Sequence, residues 1–293
     1  MPDDPITLKS ELLFGLRDTL RAEGFVELTT PVARRADLGP GRRAQVDLDG
    51  GRYLRAMIGP ALRMNLEFHP RIFEIGPCFR PETPDALHGS EFTMLDLYAA
   101  NEDFSFLLNL AEQLVAAHLP YKPVRVSVTD YIRDVFGIDL RHEPTGDLPR
   151  RMAARLGLDV DTPFKDTLGT FVERELETQS TGAAVFLIDY PLGGDEPCAR
   201  LTPGTVAQLN RFELIVNGIE VVHGYEDEPD GIAFTQRAKD VDLYDAEQRL
   251  AREAVDAGRV PAASVGLGIG IERLCMAVSG VKDIRRFQHS PMF

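Results

Sequence analysis

Between Arg71 and Tyr98 the chain reads RIFEIGPCFRPETPDALHGSEFTMLDLY, two segments rich in β-branched and aromatic residues around a loop of turn-formers. This predicts paired strands over 71–80 and 91–98, with Pro81, Pro84, Asp85 and Gly89 in the connection. A chain committed to that long hairpin must build the rest of its core on a sheet. A second hairpin follows at 211–216 and 219–222, where Asn217-Gly218 is a favoured tight-turn pair. Further strands are expected at 25–30, 53–58, 184–189 and, rich in glycine, 264–270. Apolar spacing predicts helices over 8–23, 60–67, 104–117, 235–257 and 271–278. Residues 36–51 read as a loop with a short strand, and 130–179 as a peripheral helical insertion without a site motif. The expected class is α+β, a sheet flanked by helices in one domain spanning 1–293.

Charge narrows the partners. The net charge is −14, from 46 acidic and 32 basic residues, which disfavours extensive contact with a phosphate backbone. The best candidate for a local basic patch is Arg34, Arg35, Arg42 and Arg43, equally readable as a solvated loop. The beginning of the chain lacks a basic stretch leading into an apolar one, and no apolar run has membrane-spanning length. Cys78, Cys198 and Cys275 follow neither a disulfide framework nor a metal-site spacing. A reducing, cytoplasmic setting without membrane association is expected.

The loop and the glycine-rich segment carry groups suited to a nucleotide beside a carboxylate. Arg80, at a strand end, offers a rigid donor fork to carboxylate and phosphate oxygens. Glu82 can accept from an adenine amino group, His88 can donate to an outer phosphate, and Phe92 offers a flat face to a purine. Taken singly, Arg80 reads equally as a structural ion pair and Phe92 as a core aromatic. Glu213 and Glu220 flank the second hairpin; if both face one cleft they suit Mg²⁺ beside a triphosphate, otherwise they are a solvated sheet edge. In GLGIGIERL, Gly266, Gly268 and Gly270 leave room for close backbone approach, and Arg273 can reach the γ-phosphate while clamping the base against Phe92.

In combination these segments resemble the catalytic domain of class II aminoacyl-tRNA synthetases. The lysyl branch is the nearest, including the truncated lysyl-tRNA-synthetase-like enzymes that modify elongation factor P. GFVELTTP (24–31) resembles the first family motif, FRPE with HGSEFTMLDLY (79–82, 88–98) the second, and GLGIGIERL (266–274) the third. The resemblance implies an antiparallel sheet flanked by helices, usually in a homodimer. It also implies ATP as substrate with Mg²⁺ on Glu213 and Glu220. Arg80 then meets the α-phosphate and the amino-acid carboxylate, Glu82 the adenine, and His88 a terminal phosphate; Phe92 and Arg273 sandwich the base, near Gly270.

Asp96, Tyr98 and Asp227 stand where the lysyl branch holds the substrate's side-chain amine, with shorter acids at the first and third positions. Ala61 replaces a usual glutamate. His223, followed by Gly224, replaces a usual asparagine, and Glu226 adds an acid. The pocket is therefore expected to be anionic and to take a basic amino acid altered from ordinary L-lysine. No anticodon-binding domain is expected within this sequence. The implied activity is formation of an aminoacyl-adenylate and transfer to a non-tRNA acceptor, a protein lysine, carrier protein or small metabolite. Minimal tRNA charging, amide formation resembling archaeal asparagine synthetase and a non-catalytic regulatory role are the alternatives.

Overall fold

Asp4 opens the first helix, α1 (Pro5–Ala22), by accepting from the Thr7 amide at 2.9 Å. Leu8, Leu12, Leu16 and Leu20 recur every fourth residue, so one stripe of the helix is buried. A computed structural model describes residues 4–35, 46–81, 83–119, 121–244 and 246–288. The strands that follow are β1 (Val26–Glu27), β2 (Ala33–Arg34), β3 (Val46–Leu48), β4 (Arg52–Leu54), β5 (Arg71–Phe79), β6 (Glu91–Ala100), β7 (Val124–Ser127), β8 (Ala184–Pro191), β9 (Gln208–Val216), β10 (Ile219–Glu226) and β11 (Ser264–Gly270). The remaining α-helices are α2 (Gly59–Arg63), α3 (Phe104–Ala116), α4 (Val128–Phe136), α5 (Leu148–Leu156), α6 (Phe164–Phe171), α7 (Gly231–Asp240), α8 (Ala246–Asp256) and α9 (Ile271–Ser279).

The main sheet has eight strands in the order β1-β5-β6-β11-β10-β9-β8-β7. Its six inner strands are antiparallel, as expected, while the edge strands β1 and β7 each pair in parallel with their neighbour. The sheet is thus mixed at its rims. The tight turn between β9 and β10 has Asn217 and Gly218 at φ 51° and 75°, the left-handed pair a two-residue hairpin requires.

Strand alternation divides the sheet into a core face and a cleft face. Leu95, Leu97 and Ala99 of β6, Phe212 and Leu214 of β9, and Val265, Leu267 and Ile269 of β11 join α1, α3 and α9 in the largest apolar cluster. Among the described residues the opposite face is covered only at its two ends. At one end Ile58, Leu62, Cys78, Ala254 and Val255 pack α2 and α8 over β5 and β6. At the other, Val185, Leu187 and Ile215 receive α4 to α6 through Ile132, Met152, Leu168 and Phe171. The uncovered middle is the cleft.

Two expectations change. The helix expected over 235–257 is broken into α7 and α8, because Asp242 turns left-handed (φ 56°) and the Leu243 amide closes back on the Ala238 carbonyl. Arg34 is no solvated cation: it is buried, and its Nη1 lies 2.7 Å from Glu247, which also accepts from the Tyr53 hydroxyl at 2.5 Å. Arg35 is exposed; Arg42 and Arg43 lie outside the described residues. No described helix is long and apolar enough to cross a membrane.

Candidate active site

The cleft floor is set by register. Met94, Asp96 and Tyr98 on β6 stand opposite Gly270, Gly268 and Gly266 on β11. A Cβ at Gly268 would lie 2.7 Å from Asp96 Oδ1, and one at Gly266 2.6 Å from the Tyr98 ring. These two glycines therefore make room for the side chains of Asp96 and Tyr98. Gly270 differs. Its Cβ would meet only Arg273, at an ordinary 3.6 Å.

Asp96 is fixed by the backbone ahead of α2: its Oδ2 accepts from the Ile58 amide at 3.2 Å. Burial pushes its carboxyl up to about 6, against the opposing pull of the Gly59 and Ile58 amides and of Arg55. The Tyr98 hydroxyl shares a hydrogen bond with Tyr225, whose strand lies across β11.

On the other flank, His223 and Glu213 are cross-strand partners, as are Tyr225 and Arg211. Plain alternation would place Glu220 on the face opposite to His223. A bulge between Glu220 and Val222 shifts the register and turns Glu220 onto the cleft with Glu213. Glu213 accepts from the Tyr190 hydroxyl and pairs with Arg211, both at 2.5 Å. Burial still raises its carboxyl to about 7, with the nearby Glu220 adding to the effect and Arg211 opposing it.

Arg80, Arg273, Glu213 and Glu220 all line one cleft of about 690 Å³, together with His88, Phe92, Asp96, Tyr98, His223 and Asp227. The Arg80 guanidinium lies 5.1 Å over the Phe92 ring, and Arg80 shows no ion pair among the described residues. Arg273, on the first turn of α9, instead sits 3.3 Å from Glu220. His88 contacts Asp85 at 3.0 Å on the exposed rim. Glu82 lies outside the described residues. Gly224 points its bare Cα toward the core, where a Cβ would strike Phe212 at 2.6 Å, so any part it has in the cleft comes through the backbone. Ala61 does not line the cleft, whereas Arg63, two positions along the same helix, does.

Arg63 changes the electrostatics expected from the acids. Its Nε lies 3.3 Å from Asp227 Oδ2, and the Ser264 hydroxyl donates to the same oxygen at 2.5 Å. Glu226, expected to add charge, is buried and paired with Arg200 and the Asn210 amide. The pocket end is a balanced network, not a bare anionic surface. Arg63, Arg211 and Glu272 gave no signal in the sequence. Glu272 is 2 % exposed and ties α9 to β6 and α1, accepting from the Thr93 amide at 2.9 Å and from Lys9 at 2.7 Å.

A family model for class II tRNA synthetases (D, K and N) matches residues 3–292. The chain belongs to that family. Its α+β fold, a mixed sheet flanked by helices, is the fold of class II synthetases. Among curated proteins it is 27% identical over 309 residues to the lysine–tRNA ligase of Thermoanaerobacter pseudethanolicus, covering 94% of this chain and 61% of that protein. It is 26% identical over 318 residues to the lysine–tRNA ligase of Streptococcus thermophilus, covering 96% and 63%. The synthetase-like chain thus spans less than two thirds of the length of these relatives.

Proposed function

We propose that the protein activates a lysine-like basic amino acid with ATP, forming an aminoacyl-adenylate, and transfers the acyl group to a non-tRNA amine. One observation carries this reading: two arginines and two glutamates, far apart in sequence, line a single cleft beside Asp96 and Tyr98. The amino-acid carboxylate oxygen attacks the α-phosphorus, the bond to the β-phosphate oxygen breaks, and pyrophosphate leaves. The acceptor nitrogen then attacks the carbonyl carbon, AMP departs, and the nitrogen loses a proton.

Arg80 holds the carboxylate and the α-phosphate together and offsets the charge that develops there. Arg273 and His88 serve the outer phosphates, with Phe92 and Gly270 beside the nucleotide. Glu82 belongs to the same proposal as the adenine contact. Glu213 and Glu220, hard oxygen donors on one face of the cleft, would hold Mg²⁺. The bound metal would offset charge repulsion among the phosphates. Asp96, Tyr98 and His223 form the amino-acid pocket. The net charge of −14 and the burial of Arg34 favour a protein lysine, carrier protein or small molecule over tRNA as acceptor. A homodimer is part of the same reading.

Pyrophosphate exchange across a panel of amino acids, with ATP and Mg²⁺, is expected to respond to basic amino acids and to stay near background with the rest. Absence of exchange with every basic amino acid rejects the reading. Labelled amino acid should then pass to protein or small-molecule amines and not to tRNA.

The pH dependence follows from Asp96. Above about 6 its carboxylate is charged and can hold an ammonium; below that it takes a proton and loses the attraction. KM for the basic amino acid should therefore rise as pH falls through 6, by up to roughly tenfold per unit. In Asp96→Asn the KM should be high and flat across that range. A wild-type KM that does not change between pH 5 and 7 would exclude this role.

A further inference from the structure

Arg63 stands at the C-terminal end of α2, beside Leu62, which is fully buried and anchors the helix to the sheet. Its side chain is 13% exposed and that of Asp227 2%, and both line the cleft. The Arg63 Nε also approaches Ser264 Oγ at 3.3 Å, so cation, hydroxyl and carboxylate form one small network. Nη2 is buried and has no hydrogen-bond partner among the described residues. Arg55 Nη2, in the interior, is left over in the same way; what sets Arg63 apart is that its guanidinium lines the cleft while paired with Asp227.

A substrate ammonium brought to Asp227 would meet Arg63 already there. Two cations would share one anion in a poorly solvated corner, next to the Tyr98 and Tyr225 hydroxyls. Among the described residues Asp96 forms no ion pair: the Ile58 and Gly59 amides donate to it, and Arg55 acts on it only from beyond ion-pair distance.

We propose that Arg63 is a specificity-determining residue, a built-in counter-ion to Asp227 that excludes a substrate ammonium from that end of the pocket and leaves Asp96 and Tyr98 to receive the side-chain amine. The proposal rests on the adenylate-forming reading and refines which acid the substrate meets. It makes the preference for basic side chains a matter of one carboxylate, with the second neutralised from within.

The test compares exchange specificity constants for lysine, ornithine, glutamine and glutamate in four proteins: wild type, R63M, R63K and D227N. R63M strips Asp227 of its partner and should raise the lysine-to-glutamine ratio by roughly tenfold or more. R63K keeps the cation and should hold the wild-type ranking. D227N leaves Arg63 unopposed and should raise glutamate relative to lysine, the opposite swing. If R63M does not fold, D227N and R63K carry the comparison. A parallel fall for all four amino acids in the variants overturns the proposal, because a bracing role alters activity without reversing preference. If the wild type exchanges with no amino acid, the adenylate reading fails. Calorimetric binding of the same four amino acids then judges Arg63 alone: opposite shifts in R63M and D227N support it, and parallel shifts overturn it.

Discussion

Arg80→Ala should reduce amino-acid-dependent pyrophosphate exchange by roughly 10²- to 10³-fold, the effect expected when one preorganised donor to developing charge is removed. The arginine leaves the end of β5 where the chain enters the loop, its amide donating to the Ser90 carbonyl at 2.9 Å to close the hairpin. Among the described residues its side chain forms no ion pair and lies over the Phe92 face. Removing it should therefore cost modest stability, since a partly buried cation over a ring contributes about 0.5–2 kcal/mol. A thermal midpoint close to wild type alongside the collapse of exchange is the expected pair of results. Arg80→Lys should recover only a small part, because a single ammonium cannot grip carboxylate and phosphate with a planar fork. Exchange within a few-fold of wild type in Arg80→Ala would remove Arg80 from the chemistry.

The largest effect on stability is expected at Arg55, behind the site. Arg55 and Glu74 are each 1% exposed, with Nη1 2.6 Å from Oε1. Thr30 donates to the other carboxylate oxygen through its amide and its hydroxyl, both at 2.8 Å, and Arg55 Nε donates to the Pro77 carbonyl at 2.8 Å. This network fixes the segment after β1 against β5. Arg55→Met would strand the Glu74 carboxylate in the interior, a change that costs about 3–5 kcal/mol. Urea unfolding should show the midpoint falling by the corresponding amount with an unchanged slope. Adding Glu74→Gln should restore part of the loss, since the stranded charge is then gone. A single variant as stable as wild type would show that water or local rearrangement relieves the buried acid.

Both hairpins were legible in the sequence because local chemistry writes them. β-Branched and aromatic residues around turn-formers mark β5 and β6, and Asn217-Gly218 is a favoured tight-turn pair between β9 and β10. The break between α7 and α8 was not legible, since the residues around Asp242 form a continuous polar helical pattern and the left-handed turn is imposed by closure onto Ala238. The parallel edges were equally hidden, because a two-residue strand such as β1 carries no periodicity. Within the cleft, Arg80, Arg273, Asp96, Glu213 and Glu220 could be named in advance from residue type and motif. That Glu220 shares a face with Glu213 depends on the bulge at Val221, which no spacing rule foretells.

The order of strands and helices, the two arginines and the acids are properties of local sequence, where turn chemistry, side-chain period and functional-group type act over a few residues. Charge balance in the pocket is different, because it is set by partners far apart in the chain. Arg63 and Asp227 are joined only because α2 packs over the sheet, and Gly266 and Gly268 carry Tyr98 and Asp96 only because β6 pairs with β11 in one register. Electrostatics and steric fit depend on distance in space, which the linear chain does not contain.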